Sequence, residues 1–432
     1  MSETTEDRIL FDYDGGTFKF AGVVLSNLVL QILTLGIFRF WARTRERRFL
    51  WSHVSLGEDR LEYTGKGLEL FLGFLIALVV LFPVGGIYQG LSIAAGSSVA
   101  GQVAVNLVYM TAIMFLVHLA IYRARRYRLT RTLWRGIRGT LTGSPVRYAL
   151  VALAWTPAVV LSLGLAAPFM RVALMNREIN NMHLGDRPFI FDGQARDLFA
   201  YWIVPWLMLL VVIAGYAGVI YLSFEVMDAA GVDPYNPEAS QPDPETMDRE
   251  RVTDAGAMMP GAFALLGVGG VLYLISVAWY RVREFRYLAG RISFEGMSFS
   301  SEIGLGRVAW IYVSYLFTAA IVGLALMVGM VLVALVANGV PLDPDMVGIG
   351  MGEIMEELDE DAQFFVIFGF MMTIAILLQT LSRVMVFHRM ARAVVSTLAL
   401  TGTQDFSQVT QALDSSPRLG EGLADAFDLG DF

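Results

Sequence analysis

The sequence predicts an all-α polytopic membrane protein carrying small β elements, on three observations: composition, the length of its apolar stretches and the segregation of its charge. Of 432 residues, 56% are hydrophobic and mean hydropathy is +0.57. One helical crossing of a bilayer needs about 20 apolar residues. Stretches 68–91, 103–122, 198–222, 262–280, 308–337 and 364–387 meet that need, so six transmembrane helices are expected. Two further stretches, 18–41 and 148–175, are expected either to span or to re-enter.

From the N-terminus, residues 1–8 are polar and acidic and lack the basic region and short apolar core of a cleavable signal peptide, so the first apolar segment is expected to stay. Short alternating segments at 9–20, 61–65, 140–143, 189–193 and 292–299, bounded by glycines, predict strands flanking the helices on the cytoplasmic side. Basic blocks follow spans: Arg39 to Arg48, Arg123 to Arg138, Arg281 to Arg291, and Arg383 to Arg392. Acidic blocks fill connectors at 225–258 and 338–362. Short Arg-rich loops stay cytoplasmic. An even number of crossings in 148–175 puts every Arg block inside and both acidic loops outside; a single crossing breaks the rule. Re-entrant hairpins at 148–175 and 18–41 are therefore expected, with Trp155-Thr156-Pro157 as the break, because proline lacks a donor and disfavours helix before it. Two plain spans remain the simpler alternative.

The chain repeats itself. Setting Thr34-Leu35-Gly36 on Ser162-Leu163-Gly164 brings Arg43 onto Arg171, Gly57 onto Gly185, Tyr63 onto Phe191 and Gly65 onto Gly193 without a gap, and Gly15 onto Gly143 upstream. A decayed third copy runs over 293–402. The organisation read from this is a first repeat unit at 1–65, a helix pair at 66–142, a second unit at 143–193, a helix pair at 194–291, a degenerate third unit at 292–402 and a polar tail at 403–432.

Phe11 to Gly16 leading to Leu33-Thr34-Leu35-Gly36-Ile37 and Trp41-Ala42-Arg43-Thr44-Arg45, then Arg123 to Arg128 with Trp134-Arg135-Gly136, and Pro188 to Gly193, resemble the bacterial membrane proteins of domain of unknown function 898, the YjgN-like group. The likeness covers most of the chain. It departs in the last third, where the signatures are eroded to Thr380-Leu381-Ser382 and Val386-Phe387-His388-Arg389. The resemblance implies a bacterial inner-membrane protein and supplies no activity.

Absence of cysteine removes disulfides, thiolate metal sites and thiol nucleophiles. The four histidines, His53, His118, His183 and His388, are scattered without zinc spacing, and no phosphate-binding or nucleophile-elbow motif is present. No catalytic site, metal or cofactor is expected, and nucleic acid is not an expected partner. Lys19 and Lys66 are the only lysines. Guanidinium groups suit bidentate contact with phosphate or carboxylate, so Arg43, Arg45, Arg126, Arg171, Arg177 and Arg283 are the candidate anion or headgroup ligands, against the alternative of helix anchoring by snorkelling. The candidate in-membrane polar residues are Asn27, Gln31, Asn106, His118 and Gln379. Architecture alone favours a transporter or channel-like protein, to be supported by a water-filled path lined by those residues. The alternative is a non-catalytic scaffold binding anionic phospholipid, with a possible homo-oligomer or membrane-protein partner; a solid interior with Arg pockets would favour it.

Overall fold

In the computed structural model, residues 8–232, 247–337, 360–402 and 409–411 are described. Parts of both acidic connectors, 233–246 and 338–359, and most of the polar tail lie outside the described residues.

One order of elements recurs five times: strand, helix, helix, strand. β1 (Arg8–Tyr13) leads through α1 (Thr17–Leu33) and α2 (Arg39–Ser52) to β2 (Val54–Leu56). β3 (Asp59–Tyr63) leads through α3 (Gly67–Ala95) and α4 (Val99–Arg131) to β4 (Thr132–Trp134). β5 (Ile137–Leu141) leads through α5 (Pro145–Leu161) and α6 (Ala167–Ile179) to β6 (Met182–Leu184). β7 (Arg187–Phe191) leads through α7 (Ala195–Ala229) and α8 (Arg249–Gly290) to β8 (Ile292–Phe294). β9 (Met297–Ser301) leads through α9 (Leu305–Ala337), α10 (Glu360–Ser382), a π-helical turn Arg383–His388 and α11 (Arg389–Val395) to β10 (Leu398–Thr401).

These strands close on themselves, which overturns the all-α expectation. Each pairs antiparallel with its neighbours in chain order, and β1 meets β10 to complete a ten-stranded barrel. The reason is an edge problem. An isolated two-stranded hairpin is marginal in water and exposes two unpaired edges. Set side by side at the ends of five helix pairs, four hairpins and the two chain ends satisfy one another's edges. The same bond marks every seam: the backbone N–H after each odd strand donates to the carbonyl just before the next even one, Asp14 to His53 (3.2 Å), Thr64 to Arg131 (2.8 Å), Thr142 to Asn181 (2.9 Å), Asp192 to Arg291 (3.2 Å) and Glu302 to Thr397 (3.1 Å).

Two-residue turns link the hairpins. Arg135-Gly136 and Glu295-Gly296 have both φ positive, the type I′ pattern, whereas Gly57 and Gly185 stand first in their turns with φ +63° and +60°, the type II′ pattern. Phe294, Met297 and Leu400 pack with Ile9, Phe11, Leu56, Ile137, Leu184, Phe189 and Phe299 in one cluster. Eight strands contribute to it, and only the barrel interior brings eight strands together. The barrel is packed with side chains.

The repeated glycines now have a cause. A Cβ on Gly15, Gly65 or Gly193 would overlap the ring of Tyr13, Tyr63 or Phe191 two residues earlier, and one on Gly143 would overlap the Tyr122 hydroxyl. In β1, β3 and β7 the aromatic folds back over the glycine where the strand turns into its helix, and at Gly143 the ring comes from α4.

Six helical segments are long and apolar enough to cross a bilayer: 67–95, 99–131, 195–229, 249–290, 305–330 and 367–395. The pairs at 17–52 and 145–179 are short. α1 and α5 have 17 residues each, about 25 Å at 1.5 Å per residue, less than a hydrocarbon core of about 30 Å. The expected break at Trp155-Thr156-Pro157 does not occur: α5 continues through Pro157 to Leu161. Chain reversal is made instead by Leu163-Gly164, φ +50° and +90°, and in the first pair by Leu35-Gly36, φ +50° and +86°. Segment 9–20 was expected as strand throughout, but Thr17 already begins α1 because the Tyr13–Gly15 stack ends the strand.

Candidate functional site

Because each helix pair starts and ends at the barrel, every Arg block falls at the junction between barrel and helices. Measured from the strand position shared by Leu56, Trp134, Leu184, Phe294 and Leu400, the residues eleven and eight places earlier are Arg45 and Arg48, Arg123 and Arg126, Ala173 and Asn176, Arg283 and Arg286, and Arg389 and Arg392. Register fixes that equivalence: Leu56 faces Phe11, Trp134 faces Leu61, Leu184 faces Gly139, Phe294 faces Phe189 and Leu400 faces Phe299. Four of the five copies therefore carry arginine on two adjacent rungs of one helix face.

Some of these arginines hold the fold together. Arg48 donates to the Gly65 carbonyl at 2.7 Å, and Arg126 donates to the Leu141 carbonyl at 2.7 Å and to that of Gly143. In both copies the guanidinium caps the glycine exit of a strand. A belt of ion pairs runs along the helix ends, within the second helix pair at Glu69 and between successive pairs at Glu178 and Glu284. Glu69 accepts from Arg131 (2.7 Å) and from the Tyr127 hydroxyl (2.9 Å), Glu178 pairs with Arg125, and Glu284 pairs with Arg171 (3.0 Å) and Arg281 (3.1 Å). Glu178 and Glu284 are both buried. Burial of a carboxylate is tolerated where cations and hydrogen bonds compensate it.

Two clefts at this junction gather cations as well, and Arg48, the cap of the Gly65 carbonyl, lines one of them. The first, about 420 Å³, is lined by Phe38, Trp41, Thr44, Arg45, Arg48, Lys66, Gly67 and Leu68. The second, about 370 Å³, is lined by Thr17, Arg307, Trp310, Ile311, Arg389, Arg392, Ala393 and Ser396. Arg45 and Arg48 stand on the same two rungs as Arg389 and Arg392. Each lining contains three cations, one tryptophan and no carboxylate. Within them Arg45 touches the Ser26 hydroxyl at 3.4 Å, Arg389 donates to the Ser314 hydroxyl at 2.7 Å, and Lys66 and Arg392 are exposed. Such a set can hold a phosphate beside an interfacial indole.

Of the predicted anion ligands, Arg45 alone lines a cleft. Arg126 caps carbonyls, Arg171 belongs to the belt, and Arg283 lies over the rings of Tyr201 and Trp279. Arg43 is half-buried on α2 and Arg177 exposed on α6. The predicted polar residues do not converge. Asn27 is fully buried and donates to the Ala42 carbonyl and to Glu46 at 3.2 Å each, and Gln31 donates to the Asn27 carbonyl at 3.3 Å. Asn106 pairs with Tyr88 within α3 and α4, His118 bonds the Met114 carbonyl of its own helix, and Gln379 is exposed on α10.

Sequence reading missed Lys66, Arg307, Arg389 and Arg392, although the Arg-x-x-Arg spacing ahead of β2, β4, β8 and β10 was the signal for Arg389 and Arg392. It also missed His388, which is fully buried in the π-helical turn, stacks on Phe20 at 4.8 Å and meets Tyr13 edge-on at 5.6 Å. Burial pushes the Tyr13 phenol up from its ordinary value. Among the described residues, no group of three or more histidines and carboxylates could hold a metal ion.

The profile of a family described as bacterial protein of unknown function (DUF898) matches residues 8–426. A relative, "Inner membrane protein YjgN" of Salmonella typhimurium, is 29% identical over 72 residues, 17% of this chain and 18% of the relative. The match thus spans under a fifth of that relative's length. No solved structure matches.

Proposed function

Since the chain belongs to the DUF898 family of bacterial proteins, we propose that it is an inner-membrane scaffold that binds anionic phospholipid headgroups in its two junction clefts. One observation carries this reading: two clefts on equivalent rungs of the repeat, each with three cations, a tryptophan and no carboxylate. The name of the YjgN relative supports an inner-membrane location. The Arg-rich ends, and with them the barrel, face the cytoplasm by the positive-inside rule, where they meet the anionic leaflet surface. Transport draws no support from the described residues, because Asn27, Gln31, Asn106 and His118 bond within their own helix pairs, Gln379 stands apart on α10, and the barrel is filled.

The test is lipid retention by the purified protein, read by native mass spectrometry in detergent with added phosphatidylglycerol or phosphatidylcholine. Wild type is expected to retain phosphatidylglycerol selectively. Arg45→Gln with Lys66→Gln should weaken retention at one cleft about thirtyfold, taking roughly 1 kcal/mol for each cation near a headgroup. Equal retention of both lipids, or no change in the double variant, would refute the proposal.

A further inference from the structure

We infer that the mouth of the barrel, at the end away from the helices, is a docking site for an extended peptide segment, and that residues 409–411 of this chain occupy it in cis as a latch. The inference is independent of the headgroup clefts, which lie at the barrel's other end.

The seat is built from three kinds of contact. Val409 is 8% exposed and packs into the cluster of Phe294, Met297 and Leu400 that fills the barrel. Thr410 is held from both sides by the β6–β7 turn: the Asp186 N–H donates to its carbonyl at 3.0 Å, and its own N–H donates to Asp186 Oδ1 at 3.0 Å. The Gln411 side-chain oxygen accepts from the backbone N–H of Arg138 at 2.8 Å.

Gly185 separates this turn from those at Gly57 and Gly136. A Cβ on Gly57 or Gly136, at two other hairpin turns, would meet nothing within 4 Å, whereas one on Gly185 would overlap the Thr410 carbonyl and crowd Ile137. All three glycines have positive φ, so turn geometry alone accounts for the glycine at each. Only at Gly185 does the absent side chain also make room for another segment of chain. The barrel thus offers one apolar pocket, a reciprocal pair of hydrogen bonds from Asp186 to the ligand's backbone and a donor for a polar side chain. The ligand class is an extended segment with an apolar residue followed by two hydrogen-bonding residues, recognised largely through its backbone. Tethering gives the resident segment a high effective concentration, so a segment from another chain enters only when the latch is out.

The experiment uses the full chain with Val409→Asp, which puts a charge where the apolar pocket is, and a fluorescent synthetic peptide of residues 405–414, followed by polarisation. The variant is expected to bind the peptide on the order of 100-fold more tightly than wild type, whose site is already filled. A peptide bearing the same Val→Asp change should bind neither protein. Equal binding to both proteins, or equal binding of both peptides to the variant, would overturn the inference. Amide exchange supplies a second reading on the same proteins: the Asp186 and Arg138 amides should exchange faster in Val409→Asp while the Leu61 and Phe189 amides keep their rates. Unchanged exchange at Asp186 and Arg138 would also overturn it.

Discussion

Asp186 shows how much one side chain carries at this scale. The Thr410 backbone N–H beside it holds its carboxyl below the usual carboxylate range, helped by Arg187 at 3.4 Å, which also lies 3.7 Å from Glu295. A lowered value in the docked state means that docking is strongest above the ordinary value of about 4 and weakens as pH falls through the lowered one. Exchange of the Thr410 amide, corrected for its intrinsic rate, should therefore rise below about pH 4. In Asp186→Asn the same profile should be flat; a parallel rise in both proteins would assign the effect to other groups. Glu284 belongs to the same scale in the ion-pair belt. Its carboxylate is 6% exposed, while Arg171 and Arg281 are 34% and 68% exposed. Breaking a fully buried pair costs about 3–5 kcal/mol. Because water solvates both partners here, Glu284→Ala should cost less, ~2 kcal/mol, visible as a lowered midpoint in detergent melting and absent from Arg281→Ala.

The two short helix pairs turn on consecutive left-handed residues, and the first of each is leucine, at φ +50°. Left-handed backbone costs a branched side chain roughly 1–2 kcal/mol, and glycine almost nothing. Leu163→Gly should therefore leave the melting midpoint unchanged or raise it, whereas Gly164→Val should lower stability by about 1–2 kcal/mol; the reverse order would show that the leucine is held by packing worth more than its strain. These elements also show what the sequence carried. Leu35-Gly36 and Leu163-Gly164 were visible as the register of the repeat, since a positive φ demands the same residue types wherever it recurs. The odd strands β1, β3, β5 and β7 were visible as alternation. Segment 292–299 took in β8 together with most of β9, but β2, β4 and β6 were not visible, because they have three residues each, too few for a period of two to emerge. Closure of the barrel was invisible for another reason: β1 pairs with β10 across nearly the whole chain, and no local pattern encodes a partner so distant. The cationic clefts were half legible. Arg45 could be found because it sits in a dense basic block, but its companion Lys66 comes from the next helix pair, and Arg307 stands outside the basic blocks, just ahead of the stretch 308–337.

At the scale of the molecule, a ring of ten strands requires that all five helix pairs leave from one side and return to it. A pair that crossed only once would strand its even strand on the far side of the bilayer and open the barrel. The belt from Glu69 to Glu284 and the two clefts lie at the same level, so fold and proposed headgroup binding depend on one common sidedness. The chain has no cysteine, which makes single-cysteine labelling in intact cells a direct measurement. Glu58 lies in the β2–β3 turn, Pro188 in β7 and Ser97 in the turn between α3 and α4, and all three are exposed. Cysteines at 58 and 188 should stay protected from an impermeant reagent until the membrane is opened, while one at 97 labels at once. If 58 and 188 label from outside and 97 does not, the proposed orientation is inverted but the barrel stands, because its two probes still agree. If 58 and 188 label from opposite sides, the strands cannot meet. The five-fold repeat would then be a pattern of sequence that the folded chain does not realise.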